Sequence, residues 1–359
     1  MSMRMNDPRQ HRDQSISCYI GEIPSFIREA LADAYETLHS SLPFFEICRS
    51  IEHANCYVAE RAGHARTVLL FHCRGRQVDV LNDMLEIDQA EILRFAHYIF
   101  GYFKGVDVIG FRAVKTGHDQ CALPVQRYAS KETYVIALPA TPKAYLESLG
   151  KSTRAGIRQG LNGLARHFPT FRSQFFVGHE IDERHVRAIL TLSENRINAR
   201  DAHFSHDLER IIRLARQCGF VSVFTIDGRL CAGSVNYRIG ASYFGEVTAH
   251  DPRYEKHGLG RLCMYLTVSE SIARGGKKFY LGGGVFEFKQ RMLGVPLAME
   301  AMRLYRSPLA MVVNADVALM TAAAAAIDWC KGRLHRNRKA AWARYVFSAF
   351  YFFRNKLVK

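Results

Sequence analysis

The sequence lacks the features on which most metal-dependent, disulfide-rich and nucleotide-hydrolysing proteins depend. Its nine cysteines are scattered and include no Cys-x-x-Cys pair, so neither a disulfide framework nor a closed zinc site is expected. It contains no Walker-type phosphate loop and no Ser–His–Asp arrangement. The first 15 residues are polar and lack the apolar stretch of a signal peptide. We therefore predict a cytoplasmic protein that uses no metal.

Acidic residues are also few, since 34 Asp and Glu stand against 49 Lys and Arg in 359 residues, a net charge of +15. About half of this surplus lies in the last 32 residues, where nine cations alternate with aromatic side chains. Such segments are typical of contact with an anionic membrane surface; packing on the protein body or nucleic-acid binding are the alternatives. The apolar stretch 309–327 contains Asp316 and many alanines, which favours a soluble helix over a membrane span.

Hydropathy and turn signals predict the same structural unit twice, each time as three antiparallel strands, a helix and a further strand. The predicted first copy consists of strands at 56–60, 66–73 and 77–81, a helix at 89–103 and a strand at 106–111. The predicted second copy consists of strands at 221–226, 230–237 and 242–248, a helix from about 258 to 275 and a strand at 278–281. This order predicts an α/β fold of two tandem domains, each a mixed sheet flanked by helices, followed by a basic helical tail.

The predicted boundaries follow from these copies and from the change of composition at each end. The predicted segments are an N-terminal segment 1–45, a degenerate first domain 46–147, a cofactor-binding second domain 148–306 and a helical tail 307–359.

The two copies differ at the start of the helix. In the second copy, glycines at 258 and 260 would let a ligand approach the first-turn N–H groups closely, and Lys256 and Arg261 add positive charge. In the first copy, residues 83–88 contain three acids and no glycine, which would repel phosphate. We therefore predict one phosphorylated-cofactor site, in the second copy. Its predicted residues are Lys256, Gly258, Leu259, Gly260 and Arg261.

This strand–helix pattern with a Gly-x-Gly helix start resembles the GNAT acyltransferase superfamily, and more narrowly its FemAB/CelD-like branch. The resemblance covers about residues 140–306, including an initial segment at 148–158. The matching positions are Asp227-Gly228, Asp251-Pro252, Tyr254, Gly276, Tyr280, Gly282, Gly284 and Phe288-Lys289. The sequence departs from the GNAT pattern at Glu255, where Arg or Gln is usual.

The resemblance implies transfer of an acyl group, such as acetyl, from acyl-CoA to an amine. The acceptor that it implies is an amino sugar or a precursor of the cell surface or of an exopolysaccharide. It also implies a catalytic role for Lys289, beside Phe288 and Arg291 at the substrate, and we expect this lysine to matter more for turnover than for folding. In the basic stretch 148–168, Arg154 and Arg158 form either a solvated helix face or a contact with an anionic substrate.

Glu246 and His250 are the candidates for the base that takes the proton from the amine. They are four residues apart, so we expect them on the same face of one strand. Two other functions stay open: a Fem-type transferase that uses aminoacyl-tRNA, and a non-catalytic GNAT-fold scaffold at the membrane.

Overall fold

A computed structural model describes residues 14–117, 121–199, 204–284 and 287–336. Its first half contains β1 (Gln14–Tyr19), α1 (Ile27–Tyr35), α2 (Leu42–Cys48), β2 (Asn55–Arg61), β3 (His64–Arg74), β4 (Gln77–Val80), β5 (Leu85–Glu86), α3 (Gln89–Tyr102), β6 (Val108–Lys115) and β7 (Val125–Ala137). Two linking helices follow, α4 (Pro142–Ser148) and α5 (Lys151–His167). Its second half contains β8 (Arg172–Val177), α6 (Glu183–Asn198), α7 (Leu208–Cys218), β9 (Gly219–Ile226), β10 (Arg229–Ile239), β11 (Ser242–His250), α8 (Leu259–Ala273), β12 (Lys278–Tyr280), α9 (Glu287–Arg291), β13 (Val295–Tyr305), α10 (Pro308–Val313) and α11 (Ala315–Arg336).

The thirteen strands in the described part of the chain form one mixed sheet with helices on both faces. The strand order is β1-β2-β3-β4-β6-β13-β7-β12-β11-β10-β9-β8, and β5 pairs with β6. Side chains alternate between two cores: Tyr57 and Leu69 pack with α3 on one face, whereas Val58 and Val68 pack with α1 and α2 on the other. In the second half, α5 and α8 pack on one face of the sheet, and α6 and α7 pack on the other. The predicted α/β fold class is confirmed.

The internal duplication is visible in the strand pairing. In the first half β2, β3 and β4 are antiparallel neighbours and β4 is parallel to β6; in the second half β9, β10 and β11 are antiparallel and β11 is parallel to β12. The predicted hairpin turn at Asp227-Gly228 has positive φ at both residues, as a type I′ turn requires. Each unit also begins with a strand and two helices, so β1 and α1 of the predicted N-terminal segment lie in the repeat.

The two repeats exchange their last strands. β7 ends the first repeat but pairs with β12 of the second, where Ile136 lies opposite Phe279. β13 ends the second repeat but pairs with β6 of the first, where Leu304 lies opposite Ile109. β7 and β13 also pair with each other over most of their length. Each repeat therefore depends on the other for a strand beside its own parallel pair.

Helix α5 lies directly against α8 because it carries small residues at the contact. A Cβ added at Gly156 would lie 2.9 Å from Nη2 of Arg261, and one added at Gly160 would lie 2.9 Å from Cδ1 of Leu262. The four-residue spacing places both glycines on one face of α5. This close packing brings the start of α5 beside the start of α8.

Beyond β13 the chain forms α10 and α11, which meet at Asn314, so the apolar stretch 309–327 is not a single helix. None of the helices in the described ranges is long and apolar enough to cross a membrane. Large apolar side chains that are 59–72% exposed occur along these two helices at Leu309, Val312, Val313, Leu319 and Met320. The rest of the predicted basic and aromatic tail, residues 337–359, lies outside the described residues.

The strand exchange makes a testable prediction about the first repeat alone. A chain that ends at residue 147 keeps β6 and β7 but loses β12 and β13, which leaves long unpaired sheet edges. We expect this fragment to show no cooperative thermal transition by circular dichroism. Co-expression with residues 148–359 should restore a soluble complex. A cooperative transition of the isolated fragment would show that the first repeat does not depend on the strands of the second.

Candidate functional site

A β-bulge in β11 decides where the side chains of this strand point. Asn236 of β10 pairs with Gly245, and the preceding Val235 pairs with Val247, so Glu246 is left as an extra residue in β11. Such an insertion disturbs the regular alternation of side chains along a strand.

The bulge places Glu246 and His250 on opposite faces of the sheet. Before the bulge, the odd-numbered Tyr243 faces α8 and packs in the core beneath it. After the bulge, the even-numbered His250 faces α8 and lies against Gly260. Glu246 points to the other face, where Arg210 of α7 donates to its carboxylate at 2.5 Å. The expectation that the two candidate bases share a face is therefore wrong, because one extra residue reverses the alternation.

The strands β11 and β12 separate next to this bulge. They are paired only over Ser242–Phe244 and Lys278–Tyr280, whereas β11 continues to His250. After β12 the chain turns through Gly282 and Gly284, both with positive φ. We call the region where the two strands are no longer paired the splay.

A cavity of about 810 Å³ lies on the α8 side of the splay. It is bounded by the start of α5, the first turns of α8, the end of β11 and α9, and we call it the α8 cavity. Its lining residues are Gly150, Lys151, Ser152, Thr153, Arg196, Thr248, His250, Gly260, Arg261, Met264, Phe288, Arg291 and Met292. Four of these are cations, and none of the described lining residues is a carboxylate.

Two helix N-termini add to the positive potential of the α8 cavity. α5 has 17 residues and begins after Gly150, and α8 has 15 residues and begins after Gly258, which adopts φ +67°. The first-turn N–H groups of each helix point toward its start, where they favour an anion. Gly260 is required here for a further reason, because a Cβ at this position would lie 2.7 Å from Nδ1 of His250.

His250 is the titratable group of the α8 cavity best suited to accept a proton. Burial lowers the pKa of its imidazole below the usual value, and the positive charge of Arg196 lowers it further. The ring is therefore neutral at neutral pH and can accept a proton from an amine.

The family of this part of the chain follows from comparison with known proteins. The sequence of residues 151–290 matches a family model described as an acetyltransferase (GNAT) domain. Residues 151–290 form a GNAT acetyltransferase domain. The matched range contains every lining residue of the α8 cavity except Gly150, Arg291 and Met292. For these residues the predicted GNAT domain is confirmed, and with it the predicted enzyme class, an acyltransferase.

Similar solved structures share the fold over most of the chain. FemX is 10% identical with a TM-score of 0.58, and the match covers 81% of this chain and 98% of FemX. A conserved protein of unknown function from Bacteroides thetaiotaomicron is 12% identical with a TM-score of 0.51, covering 80% and 99% respectively. At these identities the likeness shows the fold alone. No curated protein sequence matches this chain.

Five of the predicted site residues come together in the α8 cavity: Gly260, Arg261, His250, Phe288 and Arg291. The others lie elsewhere. Leu259 is a buried core residue, Lys256 is exposed in the turn before α8, and Arg158 is exposed on α5. Arg154 donates to the carbonyl of Glu147 at 2.6 Å, where it caps the end of α4.

Lys289 contacts the protein itself. Its side chain is only 3% exposed, and Nζ donates to the carbonyl oxygens of Gly282, Gly283 and Gly284 at 2.9, 2.5 and 3.1 Å. The ammonium group also lies 5.3 Å from the ring centre of Tyr134. We expected Lys289 to matter little for folding, but its ammonium group holds three converging carbonyl groups of the protein. These contacts give the side chain a structural role.

Sequence patterns missed two of the lining residues that could contact a ligand, Arg196 and Thr248. Arg196 lies near the end of α6 and reaches the carbonyl of Thr248 at 3.4 Å, and neither residue has a distinguishing local pattern. Lys151 belongs to the basic stretch identified in the sequence, and its place at the start of α5 favours the interpretation that this stretch contacts an anion.

The first repeat has a counterpart of the α8 cavity with different charge. There β5 pairs with β6 beyond the point where β4 ends, so that no comparable splay opens. A cavity of about 870 Å³ beside α3 is lined by four carboxylates and four cations: Glu60, Glu86, Asp88, Glu91, Arg61, Arg66, Arg94 and Lys115. Arg94 and Lys115 form ion pairs with Glu91 and Glu86. This lining therefore has no excess of positive charge that would attract a polyphosphate.

The environment of Lys289 predicts a stability effect in the GNAT domain. Lys289→Met would leave three converging carbonyl groups without their charged donor, and we expect a loss of roughly 1–3 kcal/mol in unfolding free energy, measured by urea denaturation. Lys278→Met, which changes an exposed lysine on β12, is the matched control and should leave stability unchanged. Equal stability of the two variants would show that the three contacts contribute little.

Proposed function

We propose that the chain transfers an acyl group, acetyl in the simplest case, from coenzyme A to an amine. One observation carries this proposal: the α8 cavity combines four cations, two helix N-termini and no described carboxylate. Coenzyme A is a polyanion with a pyrophosphate and a ribose phosphate, so this is the electrostatic environment that it needs.

The groups that would hold the phosphates lie at the two helix starts. The N–H groups of Leu259 and Gly260 belong to the first turn of α8, where they have no partner four residues earlier in the helix. Arg261 and Lys151 bring one positive charge from each helix, and Arg196 brings a third from α6. Glu255, which replaces the Arg or Gln usual in the family, is exposed and outside this lining.

Acyl transfer requires a neutral amine that attacks the thioester carbonyl and a group that takes the proton lost by the nitrogen. His250 is suited to that task, since its imidazole is neutral and lines the α8 cavity. Glu246 lies on the opposite face of the sheet, where its carboxylate forms an ion pair with Arg210 and stabilises the positive charge of that arginine. The coenzyme would supply the activated acyl group, and the chain's residues orient it and receive the proton.

As acceptor we propose an amino sugar or a related cell-surface precursor, on the basis of the family resemblance. The likeness of fold to FemX keeps a second candidate, a Fem-type transfer from aminoacyl-tRNA. The non-catalytic scaffold is the third. Titrations with acetyl-CoA and with charged tRNA distinguish the three, because the scaffold predicts binding of neither.

We also propose that the C-terminal part contacts an anionic membrane surface. The exposed apolar residues of α10 and α11 support this, since they precede nine cations in the last 32 residues. Apolar side chains that enter the lipid interface and cations that meet its headgroups act together in such contacts.

The cofactor proposal predicts a local effect on coenzyme binding. Arg261→Gln should weaken the binding of acetyl-CoA about tenfold, roughly 1.4 kcal/mol, because one phosphate contact loses its charge. Arg94→Gln in the first-repeat cavity is the matched control and should leave the dissociation constant unchanged. Isothermal titration calorimetry measures both. An equal loss from the two variants, or no binding by the wild type, would refute the proposed site.

The proposed base predicts a particular pH dependence. His250→Gln should lower the rate of thiol release with an amino-sugar acceptor by about 10²–10⁴, with acetyl-CoA affinity largely kept. Because the pKa of His250 is lowered, the wild-type rate should fall only below about pH 6.5, the ordinary value for histidine, as the imidazole becomes protonated. The variant should lose this acidic limb. A variant that keeps the wild-type pH profile would exclude His250 as the base.

A further inference from the structure

A second group of cations lies on the face of the sheet opposite the α8 cavity. We call it the junction cluster; it consists of Arg49 after α2, Asp83 between β4 and β5, Arg112 of β6 and Lys131 of β7. Asp83 is fully buried, and its Oδ2 accepts from Nη2 of Arg49 at 3.2 Å and from Nζ of Lys131. Two cations therefore bind this carboxylate, and the third, Arg112, lies near Arg49.

The remaining bonds of Asp83 fix it in place. Its Oδ1 accepts from the N–H of Met84 at 3.0 Å, and its main-chain oxygen and nitrogen both bond to the hydroxyl of Ser40, at 2.9 and 3.1 Å. These contacts hold the carboxylate as a rigid support for Arg49 and Lys131. Since one carboxylate balances one cation, a charge of +2 remains in the cluster.

Arg112 and Arg49 have unused capacity to bind a ligand. Within the described part of the chain, the guanidinium of exposed Arg112 has no hydrogen-bond or ion-pair partner, and Nε of Arg49 is buried without one. The two arginines lie close enough that the charge of Arg112 adds to burial in lowering the pKa of Arg49. Both arginines therefore keep N–H donors from which an oxyanion could accept hydrogen bonds.

The imidazole of His39 lies beside the junction cluster and is neutral. Burial, together with the charges of Lys131, Arg49 and Arg210, lowers the pKa of His39 to about 4 despite the opposing charge of Asp83. At neutral pH His39 therefore adds no positive charge, and the excess of +2 is carried by the arginines and the lysine.

The junction cluster lies beside the splay. Lys131 precedes Glu132, whose carbonyl oxygen would be 3.3 Å from a Cβ added at Gly283 in the turn after β12. The ring of His39 contacts that of Phe244, with centroids 6.4 Å apart, and Phe244 stacks on Tyr280. Phe244 and Tyr280 form the last pair of β11 and β12 before the strands separate.

From this arrangement we infer that the junction cluster binds an oxyanion, phosphate or carboxylate, that belongs to the amine acceptor. An acceptor held there would reach the splay from the face opposite the coenzyme, so that its amine could meet the thioester through the opening. The inference rests on the proposed function, because it names the acidic character of the acceptor for that same reaction. The acceptor class is thus an amine whose molecule also bears an acidic group.

The direct test measures oxyanion binding to the full-length protein in the presence of saturating coenzyme A, which fills the α8 cavity. Inorganic phosphate and acetate are titrated separately by NMR or calorimetry, and the tighter of the two identifies the phosphate or the carboxylate source. Arg112→Gln should weaken this binding about tenfold. Arg229→Gln, an exposed arginine at the start of β10, is the matched control and should have no effect. Equal affinities of wild type and Arg112→Gln would overturn the inference.

The kinetic arm compares glucosamine 6-phosphate with glucosamine as acceptors. The wild type should show a KM about tenfold or more lower for the phosphorylated amine if phosphate is the group bound, and Arg112→Gln should remove that preference with kcat largely kept. If acetate binds more tightly, the corresponding pair is glucosaminic acid and glucosamine. No preference for the acidic amine of the tighter-binding class would contradict the inference.

Failure of the proposed function has a different signature. In that case acetyl-CoA does not bind the wild type at all, whereas the difference between wild type and Arg112→Gln in oxyanion titration still decides on the junction cluster. Lys131→Gln is the second variant; it leaves Asp83 paired with Arg49, so it should fold and should also weaken the oxyanion. Unchanged oxyanion binding in both variants would overturn the inference that the junction cluster binds an oxyanion, even if acetyl-CoA binds.

Discussion

The exchange of β7 and β13 is the constraint on which the rest of the structure depends. Each strand completes the sheet of the other repeat, so the two repeats share one hydrogen-bonded sheet rather than meeting at a side-chain interface. Because β7 lies beside β12, residues of the first repeat reach the opening between β11 and β12. Lys131 on β7 and Lys289 after β12 consequently lie on elements that pack around the same splay.

The two repeats show how one fold acquires different chemistry through a few charges. Both place a helix start beside the end of a central strand, and both have a cavity there of similar size. In the first repeat β5 continues the pairing with β6, and four carboxylates offset the four cations of the cavity. In the second repeat the strands separate, and four cations line the cavity without a described carboxylate. A phosphorylated ligand would be attracted by the second cavity and not by the first, although the strand topology is the same.

The local features of this fold could be predicted from the sequence because local patterns determine them. The Asp227-Gly228 turn, the helix that begins after Gly258 and the order of elements in both copies depend on neighbours along the chain. The strand exchange depends on pairing between residues more than 140 positions apart, which no periodicity records. The bulge at Glu246 depends on the register with β10, and one inserted residue was enough to move this side chain to the opposite face. The residue types of the site were predictable, whereas their partners were not.

Lys289 illustrates how a structural contact can still determine the shape of a site. Gly282 and Gly284 adopt positive φ, a conformation in which successive carbonyl groups converge, and the buried ammonium group stabilises that convergence. Phe288 and Arg291 belong to the same short helix as Lys289, and both line the α8 cavity. A helix of five residues has little stability of its own. The contact of Lys289 with the glycine turn therefore fixes the wall of the cavity as well as the turn, which makes this lysine a positioning residue for the groups on either side of it.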